Sequence, residues 1–398
     1  MSRYAKSLLL SITGPLAILA IAMATIGWDR PWPGDENRYI ETARQFGQGV
    51  NLELLTHYEE MSGPLPFLLF GLWGRLFGYE LVPMRMGALL VGLASYVVIH
   101  HLLFEILGGI RPVVLTAALI LLNPYFITMS MFVYTDMLAV VFGMLACVAV
   151  IKSRPLLLWG SITGALLCRQ YFVFLVAAIV VYLLIEFARP NRRTTRLLIA
   201  CGLGTAPLLG LMVLWGGPCP DNELQTNYLD GPFQYHIHSL TLYVCQLSIY
   251  MAPLIVVGWR QLYGRASVVV VSLFVSILYP LFPVIPSPVA READRPWVGM
   301  FHRLLQQVIG RVEFEYLVFW LAYAAGLPIL WAFGRHVAIK IRDREQDPAL
   351  LMSLAVLAFL LVMPFSYMHW EKYFMPVFPL ACIGLQLIGS QRSEVSNQ

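Results

Sequence analysis

Long apolar runs alternate with short polar breaks along this chain, and the period-two alternation of half-buried strands is missing. Apolar runs fall at residues 7–27, 81–104, 113–131, 137–151, 156–167, 172–185, 197–215, 240–259, 268–282, 314–333, 350–364 and 374–388. A helix needs about 20 such residues to cross the hydrocarbon core of a bilayer. The pattern predicts an all-α polytopic membrane protein of about 12 transmembrane helices, several of them short and broken by proline. Residues 63–79 are apolar as well but hold Pro64, Pro66 and Arg75. That segment fits a helix lying in the interface better than a crossing. The first run follows Arg3 and Lys6 and exceeds the roughly 7–15 residues of a signal-peptide core, so it reads as a span despite Ala22-Met23-Ala24.

Composition agrees with the pattern. Of 398 residues 59% are hydrophobic and 13% charged, with a mean hydropathy of +0.70. Soluble chains carry about 25% charged residues, so there is too little polar surface here for a water-soluble body. Disorder, collagen-like repeats and disulfide scaffolds are excluded by the same figures. Charge then orients the spans. With the N-terminus inside, 16 of the 27 basic residues but only 6 of the 23 acids fall on the inner side. Both termini are therefore expected to be cytoplasmic, and the net charge of +4 reflects topology, not nucleic-acid binding. One integral membrane domain is expected over residues 1–390, with a loose cytoplasmic tail at 391–398. The large loops, 28–80, 216–239 and 283–313, would all lie on the outer face. The absence of a Walker motif argues against an ATP-driven pump. The six cysteines are scattered, and neither a disulfide nor a metal site has spacing behind it.

Chemistry concentrates in the first outer loop. Asp35 and Glu36 follow Trp28-Asp29-Arg30-Pro31-Trp32-Pro33, and from Glu36 onward Tyr39, Ile40, Ala43 and Phe46 recur at helical spacing. Asp35 sits where an acidic N-cap would, which is its structural reading. Its functional reading is a carboxylate at a membrane-level cleft, where desolvation suits it to base chemistry. Asp136, near the outer end of a span, offers the same choice between helix cap and acceptor or metal contact. Arg169, beside Gln170 and Tyr171 at a span end, is a candidate phosphate ligand, with snorkelling to the headgroups as its alternative. Lys372 is a second, against a local pair with Glu371. Arg291 and Arg303 belong to a loop that could close over a donor, against plain solvated loop charge. His236 and His238 lack a third metal ligand at sensible spacing.

Asp35-Glu36-x-Arg38-Tyr39-x-Glu41-x-Ala43-Arg44 resembles the first outer-loop motif of the GT-C superfamily of polyprenyl-phosphate-sugar glycosyltransferases, including protein mannosyltransferases and lipid A aminoarabinose transferases. Glu59-Glu60-Met61-Ser62-Gly63-Pro64 resembles the loop opening their interfacial helix, and Tyr134-Thr135-Asp136 stands where they carry a second outer acid. Leu167-Cys168-Arg169-Gln170 and Glu371-Lys372-Tyr373-Phe374-Met375-Pro376 are similar to motifs of dolichyl-phosphate-glucose α-1,2-glucosyltransferases, with Lys372 in place of their Arg. Leu229-Asp230-Gly231, His236, His238 and Gln246 loosely match their Gly-Asp, His, Gln loop. The resemblance implies inverting transfer of a sugar from a polyprenyl phosphate to a hydroxyl acceptor on the periplasmic or lumenal face. The acceptor would be a glycan, lipid or protein, and a divalent metal is possible; the short, basic loops without a large soluble domain suggest a bacterial inner membrane as the setting. Asp35 becomes the general base, with Glu36 in reserve and Asp136 beside them. Arg38, Tyr39, Glu59, Glu60 and His369 become acceptor or accessory contacts. The rival reading is a multi-span transporter or flippase, whose charges would be expected near mid-membrane in two related halves.

Overall fold

A computed structural model describes all residues except 1, 32–33, 186–190, 221–234, 288–289, 292–296, 311, 367–368 and 397–398. Asp230, Gly231, Glu292, Asp294 and Arg295, all in loops singled out above, lie outside the described residues. The described residues are helical or irregular, in keeping with backbone groups that must bond within their own segment in lipid. Packing divides the chain into two compact units, Met1–Val176 with Pro190–Leu229 and Ala177–Arg189 with Asp230–Gln398.

Unit 1 begins with α1 (Arg3–Ile26), started by the Ser2 hydroxyl on the Ala5 N–H and ended at Gly27, whose positive φ only glycine adopts freely. The polar segment after it folds as α2 (Glu36–Gln48), α3 (Leu52–His57) and α4 (Leu65–Phe77). α2 and α4 pack very closely where Gly47 meets Gly71, since a Cβ on Gly71 would come within 2.6 Å of the Ala43 carbonyl. α4 buries Pro66, Phe67 and Phe70 but exposes Leu69, Leu72, Leu76 and Phe77, the surface of a helix that keeps lipid on one side. α5 (Leu81–Leu107) runs next to α8 (Asp136–Ile151), which forms a hairpin with α9 (Pro155–Cys168). The apolar run at 113–131 is not one helix. α6 (Ile110–Leu121) and α7 (Pro124–Met131) bend by 66° where Asn123 caps the second helix and Pro124 cannot continue the first. The chain passes between units within α10 (Val173–Ile185), and α11 (Arg192–Trp215) returns to unit 1 against α9.

Unit 2 continues with α12 (Ile237–Tyr250), α13 (Ala252–Val257), α14 (Trp259–Tyr263) and α15 (Ala266–Ser276), so the run at 240–259 is also broken. α16 (Met300–Ile309) precedes the longest helix, α17 (Val312–Asp343). α18 (Pro348–Val362), capped by Asp347, and α19 (Phe378–Ser396) complete it, the latter reaching into the stretch expected to be a loose tail. Among the described residues four helices are long and apolar enough to span a membrane, five with the bent α6–α7 pair, and six more apolar helices are shorter. Prolines and breaks thus divide into short pieces what the hydropathy pattern shows as about twelve runs. All six cysteines are free thiols.

Candidate active site

In unit 1 the helix phase of α2 decides the fate of two adjacent acids. Glu36 lies in register with Tyr39, Ile40 and Ala43 on the buried face and is about 1% exposed. Its carboxylate accepts two bonds from the equally buried Arg85 of α5, 3.0 Å from Nε and 2.6 Å from Nη2, and a third from the Val133 N–H at 3.1 Å. Arg85 also donates to the Trp28 carbonyl at 2.7 Å and stacks on Phe132, 4.7 Å from its ring centre. Glu36 therefore joins α2, α5 and the α7–α8 corner. With its oxygens engaged this way it fits a brace between these segments.

Asp35, one residue earlier, makes no capping bond to the helix and leaves about 32% of its side chain exposed. Arg38 lies 3.7 Å away across one turn and donates from Nε to Glu60 at 2.7 Å. Burial pushes the Glu60 carboxyl up to about 7, against the opposing pull of Arg38. The loop that carries Glu60 is tied to the end of α9: Gln170 donates to the Met61 carbonyl at 2.9 Å and the Gly63 N–H to the Cys168 carbonyl at 3.2 Å. There the extended backbone of Arg169 leaves the helix and the guanidinium meets buried Asp136 at 2.6 Å, while Tyr171 donates to the other Asp136 oxygen at 2.8 Å. Asp136 begins α8, but its carboxylate is held by tertiary partners. The ring of Tyr39 packs in the core against Phe67 and Tyr134, and Glu59 is exposed. The structure thus brings Asp35, Arg38, Glu60, Asp136 and Arg169 into one braced region, with Asp35 and Arg38 its more exposed members. Arg85 and Tyr171 carry no role in the sequence reading. The signal for Arg85 is present in the sequence, since a charge four residues into an apolar helix demands a partner.

The remaining candidates belong to unit 2. Glu371 is buried and accepts the N–H groups of Phe301 and His302 at 2.9 and 3.0 Å and the Tyr250 hydroxyl at 3.1 Å. It caps α16 from far along the chain, whereas the alternative to a phosphate role for Lys372 is a local pair between the two. Lys372 is half-buried with its ammonium 5.4 Å from the Tyr373 ring centre. His302 accepts the Val298 N–H at Nδ1 and pairs through Nε2 with Glu315. His369 bonds the Ile285 carbonyl at 2.7 Å, and burial lowers its pKa to about 4. His238 bonds the Pro283 carbonyl at 2.7 Å. Arg291 and Arg303 are exposed, the latter 5.1 Å from the Trp297 ring centre. Among the described residues no three His, Cys, Asp or Glu side chains are grouped as a metal would require.

No protein-family model and no curated protein matches the chain. It is similar to ArnT. The crystal structure of ArnT from Cupriavidus metallidurans bound to undecaprenyl phosphate aligns at a TM-score of 0.42 and 14% identity, covering 96% of this chain and 78% of that one. The apo state of the same protein aligns at 0.41 and 15%, covering 95% and 78%. At this distance the chemistry of the site has to come from its own residues.

Proposed function

We propose that the chain is a membrane glycosyltransferase that moves a sugar from a polyprenyl phosphate to a hydroxyl acceptor on the periplasmic or lumenal face. The observation that carries this reading is the difference between Asp35 and its neighbours. Glu36 and Asp136 are sealed and held by arginines, while Asp35 keeps an accessible carboxylate beside a half-exposed arginine. In a single displacement Asp35 takes the acceptor proton as the acceptor oxygen bonds the anomeric carbon. The bond from that carbon to the phosphate oxygen breaks with inversion, and polyprenyl phosphate leaves with the electron pair. The leaving anion needs positive charge in a dry setting, and Arg38 and Arg169 supply it in unit 1. Lys372, Arg291 and Arg303 of unit 2 stay the further phosphate candidates that the sequence offers. Asp136 and Tyr171 aim Arg169, and Glu60 aims Arg38. The motif order from Asp35 to Arg169 supports a polyprenyl-phosphate donor, the charge bias of the loops supports cytoplasmic termini, and the short basic loops without a large soluble domain fit a bacterial inner membrane.

The test is transfer from a panel of radiolabelled undecaprenyl- and dolichyl-phosphate hexoses by the purified wild type and Asp35→Asn. Transfer by the wild type that collapses in a well-folded variant supports the class and names the donor. Equal activity in both removes Asp35 as the base. A folded wild type that transfers from no donor leaves the transporter reading ahead.

A further inference from the structure

In unit 2, α15 and α17 meet at one end, where Trp320 donates to the Ser276 carbonyl at 3.0 Å and the Tyr279 and Tyr316 rings lie 5.0 Å apart. Away from that end the helices enclose an open cavity of about 620 Å³. Val271 and Val275 on α15 and Leu327, Trp331 and Gly334 on α17 line it at helical spacing. Its walls are almost wholly apolar, and Val271 and Trp331 also remain more than half exposed on the membrane-facing surface. Gly334 deepens the cavity, because a Cβ there would meet no atom within 4 Å. Arg335 is the one charged residue on the wall among the described residues.

Arg335 differs from the other basic side chains of its helix. His336 and Lys340 bond Asp347, Lys340 also reaches Glu345, and Arg342 pairs with Asp343. Among the described residues no carboxylate lies within ion-pairing distance of Arg335. A guanidinium half-buried on an apolar helix in lipid is costly unless something anionic meets it. The lining of α17 spans residues 327–338, about 17 Å at 1.5 Å per residue. That length is close to half of the hydrocarbon core of about 30 Å, the reach of one acyl chain in one leaflet. A polyprenyl chain would overrun it several-fold.

We propose that this groove binds an anionic phospholipid of the surrounding bilayer, its phosphate on Arg335 and one acyl chain along Val271, Val275, Leu327 and Trp331. The site is independent of the transfer chemistry in unit 1. The test uses the full chain in detergent, stripped of lipid and titrated with phosphatidylglycerol, phosphatidylcholine and undecaprenyl phosphate under native mass spectrometry. Phosphatidylglycerol should bind roughly tenfold more tightly than phosphatidylcholine, the gain expected of a charge-assisted contact. Arg335→Gln should reduce it to the phosphatidylcholine level. Gly334→Leu, which has room for its side chain, should weaken both by filling the groove. Affinities unchanged in both variants, or equal for the two phospholipids in the wild type, would overturn the site and leave Arg335 snorkelling to water. Undecaprenyl phosphate binding that falls in Arg335→Gln and Gly334→Leu as phosphatidylglycerol binding does would overturn the phospholipid assignment, because its binding at the unit 1 site is left intact by both variants.

Discussion

Of the buried carboxylates of unit 1, Glu36 and Asp136 each meet an arginine at 2.6 Å and Glu60 meets one at 2.7 Å, whereas Glu371 of unit 2 accepts, among the described residues, two backbone N–H groups at the start of α16 and a tyrosine hydroxyl. Arginine pairing ties distant segments at fixed geometry, but each partner depends on the other for neutralisation. Removing one leaves a buried charge alone. A carboxylate on a helix N-terminus meets only partial charges, so losing it strands dipoles instead of an ion. The arginine-braced region is therefore costly to disturb, and the more exposed Asp35 stands at its edge. The dipole-braced region fixes where one amphipathic helix begins.

The largest effect should separate the open acid from the braced ones. Asp35→Asn is expected to lower kcat by about 10²–10⁴-fold, the range for loss of a general base, with no change in thermal stability. Glu36→Gln should do the reverse and unfold early in a detergent melt, losing about 3–5 kcal/mol. Restored stability in a Glu36→Leu, Arg85→Met double variant would confirm that the cost is the stranded charge. If Glu36→Gln melted like the wild type, the brace would be broken as an idea.

A pH experiment sharpens the contrast, because the two units carry buried groups of opposite sign. Glu60 titrates near 7 in the fold against 4.5 ordinarily. Between those values the native state holds a proton that the unfolded chain has lost, so this group makes stability fall as pH rises, by about 3 kcal/mol in all. His369 titrates near 4 against 6.5. The unfolded chain then binds the proton first, and stability rises with pH across that window. The two slopes oppose each other between about 4.5 and 6.5. Melts should show stability rising with pH in Glu60→Gln and falling with pH in His369→Gln across that range. Identical profiles in both variants would remove one of these groups from the balance.

The smallest effect belongs to the dipole-braced acid. Glu371→Gln keeps one acceptor oxygen for α16 and should cost about 1–2 kcal/mol, read from the same melts. A loss as large as that of Glu36→Gln would mean that unit 2 holds its carboxylate against a full positive charge.

Part of the site is legible in the order of residues alone. Asp35 stands next to an amphipathic helix whose phase is readable, and that phase already places Glu36 with Tyr39, Ile40 and Ala43 on the face to be buried. The partner of Glu36 is not readable, because Arg85 is 49 positions along the chain. Asp136 and Arg169, 33 positions apart, each stand out in the sequence for a different task, yet the fold pairs them. Glu371 has the spacing of a local partner for Lys372, although its bonds go 69, 70 and 121 residues away.

Hydrophobic periodicity and charge count by themselves determined that this chain is helical, crosses a membrane and gathers its acids in a few loops. Those properties follow from how each segment meets lipid and water, and each segment carries that information alone. Which acids are buried against arginines, which stays more exposed and where the apolar runs break were decided by tertiary structure. A carboxylate's role depends on the donors within about 3 Å of it, and those come from distant parts of the chain that only packing brings together.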